Sequence, residues 1–224
     1  MGANAEAATG GVHIAGGLAR TGAVMATLVP IWTVLGLLLA AAVAVKVRTD
    51  VPWHHVMGDP ATTTGWPFWV GFISNAGAVL WAATAAIFVV ARGLDRSTEA
   101  RRRFLLASGL FVAMLGIDDL FLLHEQAFPR LLGIPQVAVL AAYAILALAY
   151  AWTFRAQIMA TPYPLFLLAA ALLGTSVALD QTMDRFEIYL PASGFLEDAC
   201  KLLGIGTWLA YAWRTATAGA PGRG

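Results

Sequence analysis

Eight of the thirteen carboxylates in this 224-residue chain stand in or beside three strongly apolar segments. Asp118, Asp119 and Glu125 lie in IDDLFLLHE, Asp180, Asp184 and Glu187 in LDQTMDRFE, and Glu197 and Asp198 in FLEDACKLLG. Ionisable groups at membrane depth are costly, and their presence marks a functional site by default. Carboxylates crowded into a low-dielectric pocket either share protons or are neutralised by cations. With an imidazole nearby, such a set suits Mg, Mn, Ca, Fe or Zn better than a soft metal. The expected ligands of a divalent metal ion are Asp118, Glu125, Asp180 and Asp184, with Glu197 and Asp198 beside them. A bound cation would lower the pKa of a water and polarise a scissile group.

Three further residues are candidates for catalysis. His124 can ligate metal or move protons, or simply pair with a neighbouring carboxylate at the interface. Asp119 falls on a different helical face from Asp118, where it can meet a neighbouring helix. Lys201 has Glu197 one turn before it, the favourable orientation for an i,i+4 pair, and Asp198 at i−3. Such a pair would fix its helix among the others; a free Lys201 would instead stabilise developing negative charge. His54 and His55 on a loop, and Ser74 and Asn75 in an apolar segment, are weaker candidates. The one cysteine, Cys200, excludes an internal disulfide and any CxxC motif and reads as a packing residue.

Two family resemblances bear on these residues. Glu197, Lys201 and the glycines after them are similar to the retinal-binding helix of microbial rhodopsins, but the chain has six apolar segments and no matching counter-ion motif. Ser74-Asn75 followed by the Asp- and His-bearing segment around Asp118 and His124 resembles the alkaline-ceramidase and progestin-receptor-related membrane hydrolases. Those hold zinc through a late HxxxH pair, and this sequence has no histidine after His124. Neither resemblance assigns a family. Walker, dinucleotide-glycine, GxSxG and HExxH motifs are all missing from the sequence.

The elements that must position these side chains are apolar helices. The chain is 59% hydrophobic and 12% charged, against about 45–50% apolar in ordinary soluble domains. A span takes about 20 apolar residues, which predicts six, at roughly 24–45, 67–91, 104–124, 136–154, 163–184 and 195–213. The expected fold is thus an all-α, six-helix polytopic membrane bundle. One transmembrane domain over 23–214 stands between tails at 1–22 and 215–224 that read as disordered. A net charge of +1 gives no electrostatic argument for nucleic acid. The expected partners are the bilayer and a lipid or amphiphilic substrate.

Charge in the loops predicts orientation. With the 92–103 loop in the cytoplasm, Arg20, Arg155, Arg214 and Arg223 join its five arginines inside, leaving Lys46, Arg48, Arg130 and Arg185 outside. Both termini are then cytoplasmic, and the expected location is a bacterial inner membrane. Counting from the entry of each span at 1.5 Å per residue, Asp118 is about 21 Å and Asp180 about 25 Å from the inner face, and Lys201 about 9 Å from the outer face. The acids therefore share one level in the outer third. Spans 2, 3, 5 and 6 are expected to wall the pocket, with the loop carrying Asp50, His54, His55 and Asp59 above it.

A repeat is also visible. Asp118, Glu125 and Pro129 recur as Asp180, Glu187 and Pro191 at an offset of 62 residues. Spans 3–4 and 5–6 are accordingly expected to form a parallel repeat of helical hairpins. Two functional classes follow: a metal-dependent membrane hydrolase or lipid-modifying enzyme, or a cation or proton carrier, sensor or assembly factor without catalysis. A third, a charge network that only holds helices together, needs fewer than eight acids.

Overall fold

The computed structural model describes residues 28–29, 32–58, 60–67, 69–186 and 193–218; every structural statement below refers to these. They are mostly helical, with no strand among the described residues. The chain divides into two compact units after Val70.

The first unit holds α1 (Trp32–Thr49), α2 (Trp53–Met57) and α3 (Pro60–Thr64). Leu37, Leu38 and Val43 of α1 are exposed, as suits a helix bathed in lipid. Lys46 reaches Asp50 at 2.8 Å one turn later, at the end of the helix. His55 lies in α2; the side chain of His54 and all of Asp59 fall outside the described residues.

The second unit is a bundle of α4 (Phe72–Leu94), α5 (Glu99–Phe121), α6 (Phe128–Leu132), α7 (Gln136–Thr153), α8 (Arg155–Met159), α9 (Tyr163–Phe186) and α10 (Ser193–Ala218). Five helices of the chain, α1, α4, α5, α7 and α9, are long and apolar enough to cross a membrane. The sequence-based boundaries shift by a few residues, and most at the outer end of α5. Span 3 was expected to run to His124, but the α-helix stops at Phe121. Leu122 adopts φ 50°, ψ 45°, and a π-helical turn, Leu123–Ala127, follows. Glu125 therefore does not continue the face of Asp118, because the seven-residue spacing holds only along an unbroken helix. α9, in contrast, runs through Asp184 to Phe186. The two matched segments differ at that point, while Glu187 and Pro191 lie outside the described residues.

Local chemistry fixes the helix ends. Thr98 caps α5, its hydroxyl accepting from the Arg101 amide at 3.3 Å, with Glu99 in the first turn. Gly133, at φ 68°, closes α6 in a conformation that costs glycine little. Before α5, Asp95 accepts from the Ser97 amide at 2.8 Å, the Ser97 hydroxyl at 2.5 Å and Arg101 Nε at 2.7 Å. Arg101 also donates to the Thr215 carbonyl at 2.8 Å, tying this loop to the end of α10.

α4 packs along α5, and α10 along both α9 and α4. Small residues allow the close approach, since a Cβ on Gly116 would sit 2.8 Å from Trp81 Cβ and one on Gly204 2.8 Å from Leu173 Cγ. Between the helices lies an aromatic core. Phe111 stacks on Tyr150 with centroids 5.1 Å apart, and Phe166 meets Trp208 edge-on at 5.7 Å. Two hydroxyl pairs lie within it: Ser108 with Tyr150 at 2.7 Å, and Tyr211 with Thr161 at 2.8 Å. Trp66, Trp69, Trp152, Tyr163 and Trp213, read as interfacial anchors, are all exposed.

Candidate functional site

One cavity of about 470 Å³ opens within the second unit. Its volume lies in the range of about 300–1,000 Å³ common to small-molecule sites. Asp118, Asp119, His124, Asp180, Glu197 and Lys201 all line it. Six of the residues singled out by type and position thus come together, from α5, the π-helical turn, α9 and α10. The remaining walls are apolar and aromatic, among them Leu115, Leu140, Ala147, Phe166 and Leu173.

Asp118 is 5% exposed and accepts three hydrogen bonds. Its Oδ1 takes the His124 amide at 2.9 Å and the Tyr143 hydroxyl at 2.8 Å, and its Oδ2 faces His124 Nδ1 at 2.5 Å. Six residues apart, Asp118 and His124 would lie on different faces of an ideal helix. The left-handed Leu122 and the π-turn fold His124 back onto the carboxylate instead. A neutral imidazole must carry its proton on Nδ1 to donate here, which leaves Nε2 as a base or ligand. Asp118 accordingly holds His124 in position, and its acceptor capacity is largely committed within the protein.

Lys201 pairs with Asp119 of α5. The sequence reading had paired Lys201 with Glu197, one turn earlier, and Glu197 lines the same cavity. The ammonium reaches across to the neighbouring helix because Asp119 is 8% exposed there and requires a counter-charge. Asp180 accepts from Gln181 Nε2 at 3.0 Å and Gln136 Nε2 at 3.5 Å. Both partners are amides, so Asp180 has no cationic partner among the described side chains.

Other expectations fall differently. Glu125 and Asp198 are exposed and do not line the cavity. Asp184 lies in α9, with its side chain outside the described residues. Ser74 and Asn75 are exposed and also take no part in the lining, to which α4 contributes Trp81. Among the described residues, no three His, Cys, Asp or Glu side chains are grouped as a metal ion would require. The cavity also draws on α7, which the sequence reading had not placed in its wall; Tyr143, the second donor to Asp118, is the main residue missed. Its only signal was a phenol within an otherwise apolar helix.

Two tryptophans line the same cavity. Trp81 and Trp208 are 4% and 5% exposed and meet edge-on with centroids 5.9 Å apart. Neither indole N–H has a hydrogen-bond partner among the described residues. A buried donor left unpaired costs about 1–3 kcal/mol.

A protein family described as a domain of unknown function (DUF8692) matches residues 31–215. The chain belongs to this family. The match takes in both units, from α1 to the last turns of α10, and therefore every residue that lines the cavity. No curated protein and no solved structure matches the chain.

Proposed function

We propose that this protein is a polytopic membrane enzyme, a hydrolase or related lipid-modifying enzyme, that acts on an amphiphile at the carboxylate end of the cavity. The observation that carries this reading is the Asp118–His124–Tyr143 cluster at the polar end of an otherwise apolar chamber. With Nδ1 held by Asp118, His124 Nε2 would take a proton from an attacking water and return it to the leaving group. Lys201, beside Asp119, would stabilise negative charge that develops in the transition state. The apolar walls would hold the chain of the substrate.

In the same reading α10 is the sixth span. It is 26 residues long, about 39 Å, and packs along α4 and α9, with Glu197 and Lys201 near its N-terminal end lining the cavity. The excess of arginine around Asp95 supports a cytoplasmic location for that loop and both termini, in a bacterial inner membrane. The recurring Asp, Glu and Pro spacing supports kinship between α5 and α9. A divalent metal ion belongs to a second form of the proposal. His124 Nε2, Asp180 and Glu197 are its candidate ligands, and they would have to close on one ion from their present positions.

The alternative, a cation or proton carrier, sensor or assembly factor, draws support from the surplus of acids in the cavity. Against a through-pathway, the charged lining residues belong to the ends of α5, α9 and α10 that meet at one end of the bundle.

The test is a product search. The purified protein in liposomes of bacterial polar lipid is followed by mass spectrometry, with bound metals measured by elemental analysis for wild type, Asp118→Asn and Asp180→Asn. A new lipid product above empty liposomes is expected. Cation flux without any product would replace the enzyme with the carrier.

A further inference from the structure

Where the cavity opens decides where its occupant comes from. The exposed residues of its lining are Ala144 and Leu148 of α7, and Ala170, Gly174 and Val177 of α9. The lining residues of α4, α5, the π-helical turn and α10 are buried or half-buried. The mouth therefore lies between α7 and α9.

The packing of these two helices agrees. α10 packs along α9, but α7 does not. α7 and α9 meet at two heights instead. Gln136 Nε2 reaches Asp180 at 3.5 Å near the outer end, and Tyr150 meets Phe166 further in, with centroids 6.4 Å apart. The stretches between these two bridges, Gln136 to Tyr150 on α7 and Phe166 to Asp180 on α9, are equal in length, about 21 Å at 1.5 Å per residue. All the exposed lining residues fall inside that frame.

The frame belongs to hydrocarbon. α7 and α9 are both long and apolar enough to cross a membrane, and Ala144 and Gly174 stand at the middle of them. A hydrocarbon core is about 30 Å thick, so an opening of about 21 Å at mid-helix faces lipid chains. Its rim of Ala, Gly, Leu and Val suits methylene groups. The rim also leaves room, because a Cβ on Gly174 would meet nothing within 4 Å. Tyr143, next to Ala144, donates to Asp118, which puts the polar end of the cavity at the edge of the mouth.

We propose that the gap between α7 and α9 is a lateral portal through which one acyl chain of a bilayer lipid enters the cavity. Ala144, Ala170 and Gly174 keep it open, and the Gln136–Asp180 and Tyr150–Phe166 contacts mark its ends. This rests on the membrane placement and the amphiphilic substrate proposed above and names the route between them; entry of the chain needs no turnover.

The experiment places the full-length protein in liposomes that contain a phospholipid with a diazirine midway along one acyl chain. After irradiation, adducts are located by mass spectrometry of the peptides. Phe111 and Trp208 report the interior of the cavity, being 8% and 5% exposed. Ile145 and Leu167, 68% and 56% exposed and outside the lining, report the outer face of the same two helices. Wild type is expected to carry both kinds of adduct. Gly174→Trp sets an indole in the mouth, and it replaces a helix-interior glycine by a better helix former, so the fold is kept; the thermal midpoint checks this. The variant should lose the interior adducts and retain the outer ones. Leu167→Trp, the same side chain away from the mouth, should retain the interior adducts. Outer adducts alone in wild type, or interior adducts undiminished in Gly174→Trp, would overturn the portal. Lipid conversion is followed in the same samples. Interior adducts without conversion would sustain the portal and remove the enzyme, whereas conversion at an unchanged rate in Gly174→Trp would overturn the portal and leave the enzyme.

Discussion

Replacing Lys201 by Met tests how the polar end is held together. The substitution keeps much of the apolar stem and removes the ammonium that faces Asp119. Asp119, 8% exposed, is then a buried carboxylate without its counter-charge. Breaking a buried pair in this way costs about 3–5 kcal/mol. The Lys201 side chain is 35% exposed, so water screens part of the attraction and the lower end, about 3 kcal/mol, applies. For a chain of this size that is a fall in thermal midpoint of about 6–12 °C. Asp119→Leu in the Lys201→Met background removes the stranded charge and should restore most of the loss, since apolar replacement of a whole buried pair is often neutral. The assay is a thermal unfolding cycle of wild type, both single variants and the double variant in one detergent. A coupling of about 2 kcal/mol or more is expected. Additive single effects would refute the pairing.

Other consequences are checked more briefly. Asp118→Asn removes an acceptor with three donors around it and should lower the thermal midpoint by about 4–12 °C, with Tyr143→Phe costing less, about 1 kcal/mol. Gly204→Ala places a methyl 2.8 Å from Leu173 Cγ and 3.1 Å from its backbone nitrogen, and should destabilise by about 1–3 kcal/mol; Gly206→Ala, with nothing within 4 Å, should not. Burial raises the pKa of Asp95, but hydrogen bonds from Ser97 and Arg101 outweigh it and hold the carboxyl below its ordinary value. Its folded form therefore adds stability above about pH 4, which is lost as pH falls through the lowered pKa. The gap in thermal midpoint between wild type and Asp95→Asn should accordingly be full at pH 7 and shrink below about pH 4.

The sequence carried much of this site because helix rise is regular. Asp118, Asp180 and Lys201, 83 residues apart at the extremes, were brought to one level by counting residues from the span ends, and they do line one cavity. What escaped was whatever depends on a break in regularity or on a partner distant in the chain. The position of His124 follows from a left-handed Leu122 that no local pattern signals, and it turns an expected ligand and carboxylate stripe into a hydrogen-bonded pair. Pattern rules reach only one turn along a helix, so the pairing of Lys201 with Asp119 on another helix was not visible to them. Tyr143 sat in a run of Ala and Leu, where a phenol reads as core or interface until its hydroxyl is seen to reach Asp118. α10 illustrates the converse. Its charged N-terminal turns keep it out of the helices that are apolar enough to span, and two of those charges, Glu197 and Lys201, line the cavity.

The central claim is that His124, positioned by Asp118, moves the proton in a reaction at the carboxylate end of the cavity. The most direct measurement is the rate of product release from proteoliposomes by His124→Gln beside wild type, with the thermal midpoint of each followed in parallel. A positioned acid–base group contributes about 10²–10⁴-fold, so the variant should stay folded and lose at least about a hundredfold in rate. A rate within a few-fold of wild type would contradict the account.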